Sequence, residues 1–460
     1  MGEPRWDQLE TLLRRRGVLS AAAIAAGLGA SQPTVSRLLA RAGGRVVRIG
    51  RARAARYALA REVARQGSHW PLYRIRADAR AERLGELYAL HGDGFFFAPD
   101  GSRSALTHGD FASGLYPGLP WFMDDQRPQG FLGRAFARRI AADIGAPQDI
   151  LAWHGDDVVL ALLRHGDDEP GDLVLGESSL QRALKAIHDP PQALAPRQRT
   201  TRYPQLADAA LRGDAIGSSA AGEQPKFTAV LRGDEGSVAV IVKFSDRVRP
   251  PAGRRWADLL LAEHHVGVVL REGGLPAADS AIVDADDRVF LQSARFDRTL
   301  VRGRVGLVSL AALDAAYYGY GRSDWRTFAD ELRRDGWLSA DDARHLRVIA
   351  WFGELIANSD MHLGNASLHL QDRRPLPLAP VYDMLPMRFR PLASGEVVAQ
   401  RYEVALPTPE QHGDWQRAAQ MAREFWYRVN GDKRISTTFR AIARDAGAAI
   451  TRASASMSAA

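Results

Sequence analysis

The chain has 460 residues, of which 46% are hydrophobic and 25% charged, and it contains no cysteine. Such a length has room for about three domains of roughly 150 residues, and the composition is too apolar for a largely disordered chain. Disulfides, thiolate zinc sites and a cysteine nucleophile are excluded. The charged start does not read as a signal peptide and no apolar run is long enough to span a membrane, so a soluble, cytoplasmic protein with no membrane partner is expected.

The net charge of +7 is unevenly spread. Residues 1–70 hold thirteen Arg against four Asp or Glu, a net of +9, which leaves about −2 for the rest. Residues 6–16 have helical spacing, Ser20 can N-cap a second helix over 21–26, and Gly29 takes the turn that follows. A third helix over 32–42 carries Gln32, Thr34, Ser36, Arg37 and Arg41 outward and Val35, Leu38 and Leu39 inward. Two strands, 45–49 and 56–59, then flank a wing with Arg51 and Arg53. The pattern predicts a winged helix-turn-helix over 1–70, with its arginines suited to phosphates or a minor groove. Docking to another protein is the alternative use of such a domain.

Residues 71–200 form a second predicted unit, with short strand-like runs and an aromatic, proline-rich loop over 118–133. Its adjacent carboxylates, Asp124 and Asp125, read as caps or ion-pair partners before they read as an acid/base pair. A proline-rich connector over 189–201 leads into a third unit, 201–450, and the Ala/Ser-rich tail 451–460 is expected to be flexible.

The chemistry gathers in the third unit. Of 61 basic residues only four are lysine (Lys185, Lys226, Lys243 and Lys433), so a lysine kept here calls for a local reason. Lys243 ends the alternating strand 237–244 in a V-x-V-K arrangement that suits a grip on nucleotide phosphates, and Glu263 on the next helix is a possible partner. Upstream, 217–227 contains Gly222, Gln224 and Lys226 among small residues that let backbone amides approach a polyphosphate, although the Walker A spacing fails. Further on, Asp360, His362 and Asn365 are spaced D-x-H-x-x-N, and Asp383 is expected at the end of a strand over 378–386. An Asp as proton acceptor, with an Asn and a second Asp as Mg²⁺ ligands, is a set that phosphoryl transfer requires. His362, with no second ligand at zinc spacing, reads as a hydrogen-bonder that fixes the loop.

Lys243, the Asp360–Asn365 motif, the Tyr-Asp-Met at Asp383 and the segments 221–226 and 294–298 together resemble HipA-type serine/threonine kinase toxins over roughly 75–450. The 118–133 loop and the fused N-terminal domain resemble the YjjJ branch of that family. The resemblance implies a multidomain α+β chain, with a winged helix-turn-helix followed by a protein-kinase-like fold that has a mixed β/α N-lobe and a mainly helical C-lobe. It further implies ATP and Mg²⁺ as cofactors. Asp360 would be the catalytic base, with His362 beside it in the catalytic loop, and Asn365 and Asp383 would hold the metal. Lys243, Gly222, Gln224 and Lys226 would bind phosphates, and Ala294 to Phe296 would form a hinge that reads adenine. Ser219 or its neighbour Ser218 would be autophosphorylated. Implied partners are a protein substrate connected with translation, operator DNA, an antitoxin and a second copy of the chain. Two rivals stand beside this reading: a transcription regulator whose kinase-like part senses a ligand, and a small-molecule phosphotransferase.

Overall fold

The computed structural model describes residues 6–102, 105–189, 192–213, 224–234, 236–321 and 324–458. Helices α1 (Trp6–Arg16), α2 (Ala21–Leu28) and α3 (Gln32–Ala42) pack around Leu9, Leu13, Ile24 and Val35. Ser20 and Ser31 cap α2 and α3 by accepting the amides of Ala23 and Thr34. Between them Gly29 adopts φ +59°, a left-handed backbone that ends α2 and that glycine reaches without a Cβ penalty. Three short antiparallel strands, β1 (Leu19–Ser20), β2 (Val46–Ile49) and β3 (Arg56–Leu59), form a sheet in the order β1-β3-β2.

A five-stranded antiparallel sheet follows, built from β4 (His69–Ile75), β5 (Ala81–Ala89), β6 (Phe95–Pro99), β7 (Leu115–Tyr116) and β8 (Leu173–Leu175) in the order β7-β6-β5-β4-β8. Helices α4 (Gly130–Ile144), α5 (Gly155–His165) and α6 (Glu177–His188) belong to the same region. This part is joined to the first on an apolar face where Val47, Ile49 and Ala58 meet Leu90 and Phe96. Polar contacts fix the junction: His91 N donates to Leu59 O, Arg61 N to Ala89 O, and the Arg61 guanidinium reaches Leu90 O and the Asp156 carboxylate.

The connector is not a free linker. Leu194 pairs alongside the next sheet, with its amide on Val230 O and its carbonyl taking the Arg232 amide. Helix α7 (Arg199–Arg212) then covers one face of an antiparallel sheet of β9 (Lys226–Arg232), β10 (Ser237–Phe244), β11 (Ser280–Ala285) and β12 (Arg288–Ala294), ordered β11-β12-β10-β9. Alternation divides β10 cleanly. Val240, Val242 and Phe244 join Tyr203, Phe227 and Phe290 in one core, while Ile241 and Lys243 face a cleft on the other side, where α8 (Pro251–Glu272) supplies Glu263.

The rest is mainly helical. A short pair, β13 (Val308–Ser309) and β14 (Ser367–Leu368), is followed or flanked by α9 (Leu310–Tyr317), α10 (Trp325–Arg334), α11 (Ala340–Leu355), α12 (His412–Gly431) and α13 (Thr437–Ser458). Trp337, Trp415, Trp426, Phe352, Phe425 and Phe439 are buried at its centre.

Two expectations are corrected here. Residues 378–386 do not form a strand: they make only isolated bridges at Leu378 and Val381, because Pro377, Pro380 and Pro386 remove the amides a ladder would need. The tail after Arg452 is not frayed either. α13 runs on to Ser458, with Ala453 and Met457 packed against the main core, so an apolar stripe holds what composition alone marks as flexible.

Candidate active site

The cleft beneath β10 encloses about 480 Å³. Its centre is Lys243, buried at 6% exposure, whose Nζ lies 2.5 Å from Glu263 Oε1 and also bonds Asp383 Oδ1. Burial alone would push the lysine pKa down, but the two carboxylates outweigh it and hold the ammonium charged well beyond the ordinary range. Asp383 shows the converse balance: burial opposes its charge, and Lys243 with Lys226 keeps its pKa below the usual carboxylate value. Glu263 is held above the ordinary value, chiefly by burial, against the pull of Lys243. Lys226 stands directly opposite Lys243 across the β9–β10 ladder and is also buried, at 2% exposure.

The second wall is the loop after α11. Asn358 Oδ1 accepts the Asp360 amide at 3.0 Å, and Asn365 Nδ2 donates to Asp360 O at 2.8 Å, so two of the chain's three asparagines tie this loop together. His362 is exposed and its Nδ1 accepts the Gly364 amide at 3.1 Å, which keeps the loop tight. Tyr382 Oη donates to Gly364 O at 2.9 Å and lies 2.8 Å from Ser367 Oγ, which fixes Asp383 next in the chain. Asp383 itself has φ +53°, a sparsely populated conformation that Asp tolerates better than most residues.

His362, Gly364, Asn365, Asp383, Lys243 and Lys226 all line the cleft, together with Ala294 at the end of β12 and Phe296 just beyond it. Asp360 is half-buried in the same loop and does not line the cavity; Gln224 does not line it either, and its Nε2 is buried without a partner among the described residues. Ser218, Ser219 and Gly222 lie outside the described residues, as does the side chain of Arg53. On α3, Gln32, Ser36, Arg37 and Arg41 are exposed, as is Arg51 beyond β2. Thr34 is half-buried and its hydroxyl is engaged by Ser31 and Arg37.

The donor set suits a magnesium ion. Asn365 commits its amide nitrogen to Asp360 O, which leaves Oδ1, and Asp383 commits one oxygen to Lys243, which leaves the other. Two protein oxygens, with the remainder from water and phosphate, is a normal Mg²⁺ complement. Among the described residues no cluster of three or more His, Asp or Glu offers a cage for a metal held by protein alone.

Glu263, which its place on the next helix makes a possible partner of Lys243, does meet it, and one further participant is hidden from sequence. Asp125, from the loop before α4, also lines the cleft, where its Oδ2 accepts the Ser309 amide at 2.6 Å. Read locally it looks like a cap, and 184 residues separate it from its partner.

Residues 218–453 match the family model described as the HipA-like C-terminal domain, and 66–184 match the YjjJ-like toxin middle domain. Together with the cleft these matches define a HipA-type toxin. The chain is 38% identical over 436 residues to Toxin YjjJ of Escherichia coli strain K12, covering 95% of each, and it belongs to the YjjJ-like toxins of that family. Among solved structures, a chain of the Shewanella oneidensis MR-1 toxin–antitoxin complex of HipA, HipB and operator DNA aligns over 83% of this chain and 97% of its own, at TM-score 0.49 and 15% identity. The Helicobacter pylori proinflammatory kinase CtkA aligns over 52% and 91%, at TM-score 0.36 and 10% identity. Among the described residues no helix is long and apolar enough to cross a membrane.

Proposed function

We propose that the chain is an ATP- and Mg²⁺-dependent serine/threonine protein kinase of HipA type, with a DNA-binding winged helix-turn-helix at its N-terminus. The observation that carries the reading is the buried Lys243–Glu263–Asp383 cluster, placed on one cleft with Asn365. A lysine held charged between two carboxylates is arranged to take phosphate oxygens, and its position on a strand fixes where those oxygens sit. Mg²⁺, when bound, would neutralise charge on the transferred phosphoryl group. Asn365 and Asp383 would hold it, and Asp360 would orient and deprotonate the acceptor hydroxyl. The backbone of Ala294 to Phe296 would read the base, and Lys226 would share the phosphates with Lys243. His362 would keep the loop closed.

The acceptor is a protein hydroxyl in this reading, with Ser219 or Ser218 as the chain's own, and a translation-related protein as the target. Three helices with α3 exposed, the arginines on it, and Arg51 nearby support DNA contact. Operator binding would let the toxin regulate itself in the cytoplasm, with or without a separate antitoxin and as a monomer or homodimer.

The test is incubation of purified protein with radiolabelled Mg-ATP, with and without cell lysate, for wild type and Asp360→Asn. Labelled protein from wild type alone is the expected result. A labelled small molecule would make the enzyme a small-molecule phosphotransferase, and no label at all would leave a ligand-sensing regulator.

A further inference from the structure

We propose that Asp125 binds the ribose of the nucleotide, so that a side chain from the YjjJ-like middle domain serves a site built mainly by the C-terminal one; the inference rests on the nucleotide-binding reading above. Position is the first argument. Asp125 accepts the amide of Ser309, Ser309 pairs with Ser367 across β13–β14, and Ser367 meets the Tyr382 hydroxyl. The Tyr382 ring in turn lies 5.7 Å from that of Phe296, and its hydroxyl bonds the Gly364 carbonyl. Asp125 therefore stands on the wall that joins the base-reading segment at Phe296 to the metal and phosphate end at Asn365 and Asp383. In a nucleoside triphosphate the sugar occupies that interval.

Valence is the second argument. Asp124 is paired with Arg127 at 2.5 Å, whereas no basic side chain among the described residues pairs with Asp125. Burial raises its pKa to about 6, against the help of Ser309, as expected of a carboxylate short of donors. The ribose diol offers two O–H donors, and an acidic side chain on ribose hydroxyls is a recurrent solution in nucleotide sites. On the neighbouring wall α9 contributes Ala311, Ala312 and Ala315 to the cleft, none of which can bond a hydroxyl, and the nearby Asp297 is taken up by Arg295 and Arg298.

The experiment is isothermal titration of the full chain with ATP, 2′-deoxy-ATP and 3′-deoxy-ATP in Mg²⁺, for wild type, Asp125→Ala and Asp125→Asn. Wild type should bind ATP about tenfold more tightly than either deoxy analogue, the size of one or two hydrogen bonds to a charged group. Asp125→Ala should lose about tenfold for ATP and little for the analogues, which abolishes the preference. The amide introduced by Asp125→Asn keeps an oxygen for the Ser309 N–H, so the melting temperature of that variant should stay at wild type while the preference falls. An unchanged preference in both variants, or none in wild type, overturns the assignment of Asp125 alone. Failure of wild type to bind any of the three nucleotides overturns the nucleotide reading and this inference with it.

Discussion

Lys243 divides one ammonium between two buried carboxylates, and the balance among the three can be tested without any substrate. In Lys243→Met the charges of Glu263 and Asp383 lose their common partner, and breaking such a buried set costs about 3–5 kcal/mol. The pH dependence should also change. In wild type the depressed pKa of Asp383 contributes stability that is lost only as pH falls below the ordinary carboxylate range, while the raised pKa of Glu263 acts in the opposite sense. Without Lys243 the two carboxylates hold protons more tightly folded than unfolded, so stability rises as pH falls from about 8 toward 5. Thermal melts of both proteins across that range, without nucleotide, decide it: a variant whose pH profile parallels that of wild type would show that Lys243 is not what holds these charges. Nucleotide binding should be lost in the same variant. Asp383→Ala should weaken ATP binding in Mg²⁺ and change it much less in EDTA, because in the proposed site the residue would contribute an oxygen to the metal rather than to the nucleotide. Equal affinities of this variant and wild type in Mg²⁺ would remove Asp383 from the site.

Elements are legible wherever period and punctuation agree. The helices at Trp6–Arg16 and Gln32–Ala42 and the strand Ser237–Phe244 have the bounds that their spacing predicts. The exceptions lie where a longer-range fact decides. Alternation around Asp383 suggests a strand, yet prolines withhold the ladder; an Ala/Ser-rich end suggests fraying, yet packing carries α13 to Ser458. Asp125 has an ordinary local setting, and its contact with Ser309 joins distant parts of the chain, whereas Glu263, 20 residues from Lys243, is within reach of a local reading. The α13 finding has its own test. Deleting 452–460 removes Ala453 and Met457 from the core and should lower the melting temperature by about 2 °C, what about 2 kcal/mol of lost apolar burial gives in a chain of this size. An unchanged melt would return those residues to the status of a tail.

On the scale of the whole molecule, the N-terminal helices and sheet are docked rather than tethered. Their apolar face with Leu90 and Phe96, and Arg61 across the junction, leave no flexible span between them and the middle sheet. Cutting at residue 70 would take Val63 and Trp70 out of the main core as well. Point substitution is therefore the cleaner probe of DNA contact. Arg37→Ala with Arg41→Ala, both exposed on α3, should weaken binding and flatten the log–log salt slope by about 2, one for each phosphate that goes unneutralised, at unchanged melting temperature. Binding and slope that match wild type in a filter or fluorescence titration would move the DNA surface elsewhere.

The burial of Lys226 and Lys243 has a practical side. A chain that writes nearly all its cations as arginine shows amine chemistry very few targets: when folded, only Lys185 and Lys433 of its four lysines are exposed. An acylating reagent that ignores guanidinium groups would thus mark two side chains on the native protein and four on the denatured one. The mass added per molecule becomes a direct count of how many copies in a preparation have opened their cleft.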